Sequence, residues 1–383
     1  MHDVAIVGAG PVGATLALAL ADADLDIVAL DARATGTMPG GDRSLALSHG
    51  TRLIFERLGV WSPLAATTGA VTPIRIVDIS QARGFGVTRL TAADADVPAL
   101  GYVVSYAALQ NTLDAALSRA GVPVRFGAAV GSVGGTSAYA AIMLDGTADP
   151  LLARLAAVAD GGGAPVAGIG RKTHDYGQVA VTAKVWMDAP HDGVAYERFT
   201  QDGPVALLPE HERYGLVWTM TPARAAEAMA WSDATFLAAL AAHFGARVRG
   251  FLRISARRSF PLVLEYAKPA HATRAVAIGN AAQTLHPVAG QGINLGLRDA
   301  YELSRTVAAV ARAAIGTADM LDAYAARRRS DRVASIAFTH GLAQFFDADF
   351  SLLEWPRGVA LSLLDAALPA KRAFTRAMVH GLR

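Results

Sequence analysis

The spacing of apolar positions changes along the chain, and each change predicts an element. Val4, Ala5, Ile6 and Val7 form the short unbroken apolar run of a parallel strand buried on both faces. A turn rich in glycine follows, then the apolar helix of "GATLALALADADLD", then a second strand, "IVALD", ending on Asp31. In residues 41–61, Leu45, Leu47, Leu53, Ile54 and Leu58 give a mostly helical spacing after a glycine-rich loop. "LAAVAD" and "RAVAIGN" are two further short apolar strands, the second starting at Ala275 and ending at Gly279 and Asn280. Leu295, Leu297, Leu303, Val307 and Val310 then return to helical period.

Between these lies a different texture. "PIRIVDIS", "GFGVTRL", "VAVTAKVWM", "VAYERFT", "PVALLPE" and "YGLVWTM" alternate or concentrate β-formers and are separated by Gly, Pro and Asp turns, which predicts an antiparallel sheet. "ATFLAALAAHFG" predicts a helix on that sheet. Helices fill the chain after residue 300. The "RRRSDR" run, residues 327–332, is expected to be a solvated helix face, with a contact to anionic lipid or a neighbouring subunit as the alternative. The apolar and basic segment from Pro356 onward is read as a helix packed on its own protein, or one lying on a membrane surface.

Gly8, Gly10 and Gly13 complete G-x-G-x-x-G between the first strand and its helix. Gly8 permits the turn, Gly10 admits a pyrophosphate to the backbone, and Gly13 lets helix and sheet approach; the helix N-terminus adds free N–H groups and positive potential. Asp31 stands where an acid accepts hydrogen bonds from a ribose diol. The motif leaves NAD and FAD open. Arg43, at a loop-to-helix junction, fits a phosphate bridge or a solvated surface position equally. Asp160 and Gly161 fit either a carboxylate at the ligand-binding edge of the sheet or an ordinary Asp-Gly turn. In "HPVAGQG", Pro287, Gly290 and Gly292 end the preceding strand and leave a helix N-terminus bare, able to aim backbone donors at a flat ring that becomes anionic on reduction. A reduced flavin is such a ring.

Composition mainly excludes. The 383 residues are 52% hydrophobic and hold 35 basic against 33 acidic side chains, a net charge of +2, so no strong field draws the chain to nucleic acid. Cysteine is absent and the ten histidines have no ligand spacing, so no metal, thiolate or iron–sulfur chemistry is expected. With a strand beginning at Asp3 and no apolar run long enough to span a bilayer, the expected location is cytoplasmic, with any membrane contact peripheral and at the inner face.

"GNAAQTLHPVAGQGINLGLRD", "DYGQVAV", "PALGYVV" and "AYERFTQDGPVALLP" resemble the ubiquinone-biosynthesis hydroxylases among the FAD-dependent aromatic hydroxylases of the p-hydroxybenzoate hydroxylase fold, over Asp3 to about Arg332. The resemblance implies an α/β protein: a Rossmann-like FAD-binding domain with a parallel sheet, an antiparallel-sheet substrate domain and C-terminal helices. The expected boundaries are 1–74, 97–183 and 263–335 for the FAD-binding domain, 75–96 and 184–262 for the substrate domain, and 336–383 for a C-terminal helical segment. It implies that Gly8, Gly10, Gly13 and Asp31 hold the ADP half of FAD, with Arg43 near the pyrophosphate. Asp160 and Gly161 would lie near both FAD and a transient NADPH or NADH, and Gly279 and Asn280 by the ribityl or pyrophosphate region. Gly290, Gln291, Gly292, Asn294 and Leu295 would line the pyrimidine edge, with Pro287 beside the reactive face. His286 is the candidate general base, its alternative being a structural place in a tight loop.

The implied reaction uses O2 and a C4a-hydroperoxyflavin to convert a 2-polyprenyl-6-methoxyphenol into the 1,4-benzoquinol. The implied partners are that hydrophobic prenylated phenol, a peripheral membrane contact, and a homo-oligomer or a quinone-biosynthesis complex. Phe199, Leu207, Leu208, Trp218 and Met220 are the candidate tunnel walls, with core packing as the alternative for most. One departure stands out. Ala164 and Ala167 replace the serine and arginine of the family's Asp-Gly-x-x-Ser-x-x-Arg loop, with Arg171 and Lys172 downstream as candidate substitutes. Hydroxylation at another ring position, another aromatic substrate and a non-catalytic flavoprotein scaffold are the competing readings.

Overall fold

The computed structural model describes residues 1–37, 43–82, 85–200, 202–245, 247–248, 250–285, 290–345 and 354–381. His286 and Pro287 lie outside them. The first strand, His2–Val7, pairs in parallel with Ile27–Asp31 on one side and Leu151–Val158 on the other. Parallel pairing continues outward to Val124–Phe126 and Ala275–Ala277, and the antiparallel edge strand His271–Ala272 with an antiparallel branch of Ala140–Leu144 and Val130–Gly135 completes an eight-stranded sheet. Helix Pro11–Leu20 is apolar on every side and accordingly buried, wedged between this sheet, helix Tyr106–Arg119 and helix Gln291–Ala308.

The segment read as helical from Leu45 onward divides. Ser44–Ser48 is a strand of a small sheet with Gly101–Ser105 and Val71–Ile74, and the helix begins only at His49. Leu45 and Leu47 obey the two-residue period of that strand, and Ser48 caps the helix by accepting from the Thr51 N–H.

The third sheet has nine strands, with the 17-residue strand Arg171–Met187 near its centre. Its pairings are antiparallel except that Val194–Thr200 runs parallel to Ile76–Gln81. Side chains alternate between its faces. One face packs Val205, Leu207, Leu216, Trp218 and Met220 under helix Asp233–Phe244, where Trp218 meets the Phe236 ring edge-on at 5.2 Å. The other face presents Val77, Ile79, Ala195, Phe199, Ala206 and Leu208 to a cavity. Neighbours such as Leu207 and Leu208 cannot both wall the tunnel. Phe199 and Leu208 line it, whereas Leu207, Trp218 and Met220 belong to the core behind the sheet.

A buried ion pair fastens the sheets together. Lys184 donates to Glu210 and to Ser44, and Arg213 reaches the other Glu210 oxygen at 3.2 Å. Burial alone would raise the Glu210 carboxyl, but the hydrogen bonds from Lys184 and Ser44 and the charges of Lys184 and Arg213 outweigh it and hold the group below its usual range.

The arginine run is only partly a solvated face. Tyr324, Arg328 and Asp331 are buried on one stripe of helix Ala318–Phe345, as their three- and four-residue spacing requires. Arg328 binds Asp299 at 2.8 Å and Asp331 at 2.8 Å, Arg298 closes the network on Asp331 at 2.8 Å, and Arg332 donates to the carbonyls of Ala267 and Ala282. A buried cation such as Arg328 needs such partners.

Candidate functional site

Three chain segments meet at the C-terminal edge of the parallel sheet. The turn at Gly8 has φ +95°, and a Cβ there would fall 2.7 Å from Asp160 Cα, so the turn lies directly against the loop that follows Leu151–Val158. At Gly13 a Cβ would sit 1.8 Å from the Gly8 carbonyl oxygen, which is why the helix can begin so close to the strand. Gly279, at φ +61°, fits against Val12, and Gly296 fits against both, its Cβ position 2.8 Å from Gly279 Cα. This small-residue contact joins the two helices whose N-termini face the site. Gly296 had not been marked in the sequence; its signal is a glycine inside an otherwise regular helical period.

Those two N-termini differ from four others in the chain. Ser105, Thr221 and Ser232 cap their helices with side-chain oxygens, as Ser48 does. Pro11–Leu20 and Gln291–Ala308 instead start from Gly10 and from Gly290 at φ +59°, with no side-chain cap and no acidic residue in the first turn. Their first N–H groups are left for a ligand. Cβ atoms built at Gly10, Gly161 and Gly292 would meet nothing within 4 Å, so the backbone is open where phosphates and a flat ring would have to approach it. The residues present fit FAD.

The supporting side chains are mostly engaged in shaping this edge. Asp31 is buried; Oδ2 accepts the Ala9 N–H at 3.0 Å and Oδ1 accepts from the Arg33 backbone and guanidinium, which leaves lone pairs for a ribose. Arg33, bridged onward to Asp114 at 3.3 Å, had not been singled out in the sequence. Arg43 is exposed, its guanidinium 4.4 Å from the Tyr106 ring centroid. Asp160 accepts from Gly162 N–H at 2.8 Å and Ala164 N–H at 2.6 Å, so it folds its own loop at the sheet edge. Asn280 is exposed. Asn294 uses its whole amide: it accepts from Ser48 N–H and the Thr51 hydroxyl and donates to the carbonyls of Ala46 and Gly290. What it gives the site is the position of Gly290. Leu295 turns into the core with Leu264 and Leu285.

Arg171 takes up the fastening that Ala164 and Ala167 cannot supply. It donates to the carbonyls of Gly162 at 3.0 Å, Asn280 at 3.2 Å and Ala281 at 3.0 Å, and pairs with Glu265 at 3.3 Å. One guanidinium therefore binds the Asp160 loop to the Gly279 turn.

A cavity of about 340 Å³ opens from Gly290, Gln291 and Asn294 across the free face of the large sheet. Helices Glu354–Ala366 and Leu368–His380 form its opposite wall with Leu361, Leu364, Phe374 and Met378. Glu197 enters this apolar space from the middle of Val194–Thr200, flanked on the same face by Ala195 and Phe199. Its carboxyl has no hydrogen bond or ion pair among the described residues, and burial pushes it up to about 7. An acid between Ala and Phe at alternate positions is the sequence signal that would have found it.

Residues 1–338 match the FAD binding domain family. The ubiquinone hydroxylase UbiL of Rhodospirillum rubrum is 32% identical over 98% of this chain and 88% of its own length. The 3-demethoxyubiquinol 3-hydroxylase of Escherichia coli is 31% identical over 78% of this chain and 77% of its own. Among solved structures, p-nitrophenol 4-monooxygenase PnpA of Pseudomonas putida superposes with a TM-score of 0.79 at 17% identity, covering 100% of this chain and 99% of that one, a likeness of fold. With the glycine turns and uncapped helices in place, the chain belongs to the FAD-binding domain family, as a flavoprotein monooxygenase of the ubiquinone-biosynthesis hydroxylase group.

Proposed function

We propose that the protein hydroxylates the ring of a 2-polyprenyl-6-methoxyphenol to the 1,4-benzoquinol in ubiquinone biosynthesis, at the expense of NADPH or NADH and O2. The observation that carries this reading is the cavity: it starts at the uncapped N-terminus of Gln291–Ala308, it is walled by aliphatic and aromatic side chains, and its volume suits a substituted ring with the start of a tail. FAD, when bound, supplies the two-electron redox chemistry and activates oxygen. The chain supplies the rest. Gly8, Gly10, Gly13 and Asp31 hold the ADP half; Asp160, Gly161, Gly279 and Asn280, tied by Arg171, form the middle of the cradle. Gly290, Gln291 and Gly292 direct backbone dipoles at the ring, where they stabilise negative charge. The greasy walls keep water from the reacting centre. His286 and Pro287 lie outside the described residues, and the resemblance alone implies their roles at the reacting centre.

A non-catalytic scaffold would be favoured by a loose Asp160 loop, and the attachment of that loop through Arg171 weighs against it. The test is direct. Purified protein should show an oxidised flavin spectrum, and a short-tailed 2-prenyl-6-methoxyphenol should stimulate NAD(P)H oxidation with a product one oxygen heavier. Reduction that yields only hydrogen peroxide and unchanged phenol, for every phenol tried, would overturn the proposal; oxygen at a ring carbon other than the one para to the phenol would correct its regiochemistry.

A further inference from the structure

We propose that Glu197 is the residue that receives the phenolic hydroxyl of the substrate, orienting the ring in the cavity and taking its proton. This rests on the phenol hydroxylase reading above and adds the residue that recognises the phenol.

The argument begins with what surrounds the carboxyl. Its strand neighbours in register are Ile79 and Ala206, neither able to hydrogen-bond through a side chain. Tyr196 and Arg198 project from the opposite face of the sheet, Arg198 donating to the His243 carbonyl and to Ser80. Asp78, in register with Tyr196, is occupied by Arg89 and Arg247. Across the cavity the uncapped helix offers Gln291 and Asn294, and the C-terminal helices offer Arg357 and Thr375. Asn294 is fully engaged, and Thr375 donates to the Lys371 carbonyl of its own helix. Arg357 brings a cation to the far wall, which favours the ionised acid, but no ion pair among the described residues joins the two. A carboxylate left this bare in an apolar space is costly unless a ligand donates to it. A phenol is such a donor, and the rest of the cavity suits its ring and tail.

The step balances without a further reagent. The phenol O–H bond breaks, the proton passes to a Glu197 oxygen, and the electron pair remains on the phenolate, which enriches the ortho and para ring carbons toward an electrophilic oxygen. Loss of the proton to solvent after product release restores the carboxylate. Burial has brought the acid to about 7, where a general base is effective near neutral pH.

The experiment compares wild type, E197Q and E197D as FAD-loaded proteins. Without turnover, 4-nitrophenol added to the oxidised enzyme should bind to wild type as the coloured phenolate and to E197Q as the neutral phenol. With 2-prenyl-6-methoxyphenol, kcat/KM of wild type should rise with pH through a limb near 7. E197Q should keep its flavin spectrum and melting temperature, lose that limb, and form product about 100-fold more slowly or worse. E197D should recover part of the rate. If wild type hydroxylates the phenol and E197Q matches it in phenolate binding, rate and pH profile, the role of Glu197 is overturned while the proposed function stands. If wild type neither binds nor hydroxylates any phenol, both are overturned.

Discussion

At the scale of single residues, Gly10 and Gly13 separate what the fold needs from what the ligand needs. A methyl at Gly13 would overlap the Gly8 carbonyl, so Gly13→Ala must push the helix off the strand; overpacking of this kind costs about 1–3 kcal/mol, and melting of the flavin-free protein should fall accordingly. Gly10 has φ −65° and ψ −176°, a region open to alanine, and no atom within 4 Å of the added carbon. Gly10→Ala should therefore melt within about 0.5 kcal/mol of wild type yet retain less flavin through gel filtration. Equal flavin content in the two would remove Gly10 from the binding site. Glu210 makes a prediction about pH. Its folded carboxyl lies below the usual range, so its stabilisation is complete above the unfolded value of about 4.5 and disappears as the pH falls through the folded one. Glu210→Gln leaves Lys184 buried without its counter-charge and should cost about 3–5 kcal/mol at pH 7, whereas replacing both by leucine and methionine should cost far less. Urea titrations at pH 7 and pH 4 check both: the gap between wild type and Glu210→Gln should narrow in acid, and a constant gap would mean that Glu210 is not ionised in the fold.

At the scale of elements, Arg171 should matter less for the fold than for the flavin. It ties a loop to a turn through carbonyls at the molecular edge, so Arg171→Ala should lower the melting temperature slightly but raise flavin loss on dialysis several-fold, and Arg171→Lys, lacking the planar fork, should rescue little. Retention equal to wild type would return the altered loop to the status of an unexplained departure. Sequence reasoning had Arg171 in view but could not choose it, because two of the backbone carbonyls it binds are about 110 residues away. The same limit explains the other differences. Period and punctuation located the parallel strands, the glycine turns and the helix after Gly290, since each of those is a local requirement of backbone or burial. They failed where the deciding contact was distant. Leu45 and Leu47 suit either period, and pairing with Gly101–Ser105 made them a strand. Arg328 and Asp331 look like a solvated charge run until Arg298 and Asp299 of the neighbouring helix arrive. Leu207 and Leu208 were both named as tunnel walls, although alternation alone should have divided them.

At the scale of the whole molecule, the C-terminal helix pair walls the cavity on one side and turns apolar side chains outward on the other. Helix Glu354–Ala366 turns Arg357, Ala360, Leu361 and Leu364 inward, one face at three- and four-residue spacing. Its outer side leaves Trp355 72% and Leu363 62% exposed, Leu368 of the next helix is 55% exposed, and Phe85 meets Trp355 edge-on at 5.0 Å. No helix among the described residues is long and apolar enough to cross a membrane. We propose that this outer side dips into a lipid surface, so that a long-tailed phenol passes between the helices and the sheet without entering water. Partial burial of a side chain of this size contributes about 1 kcal/mol, so exchanging Trp355, Leu363 and Leu368 together for serine should weaken partition onto phosphatidylethanolamine and phosphatidylglycerol vesicles by a factor on the order of 100. Because these side chains mostly face solvent, stability should change by no more than about 1 kcal/mol. Turnover of a short-tailed phenol in solution should be unaffected, while turnover of a long-tailed phenol presented in vesicles should fall with the binding. The two assays divide the outcomes: equal sedimentation of variant and wild type refutes the lipid contact, and lost sedimentation with undiminished turnover in vesicles refutes the delivery route while leaving the contact in place.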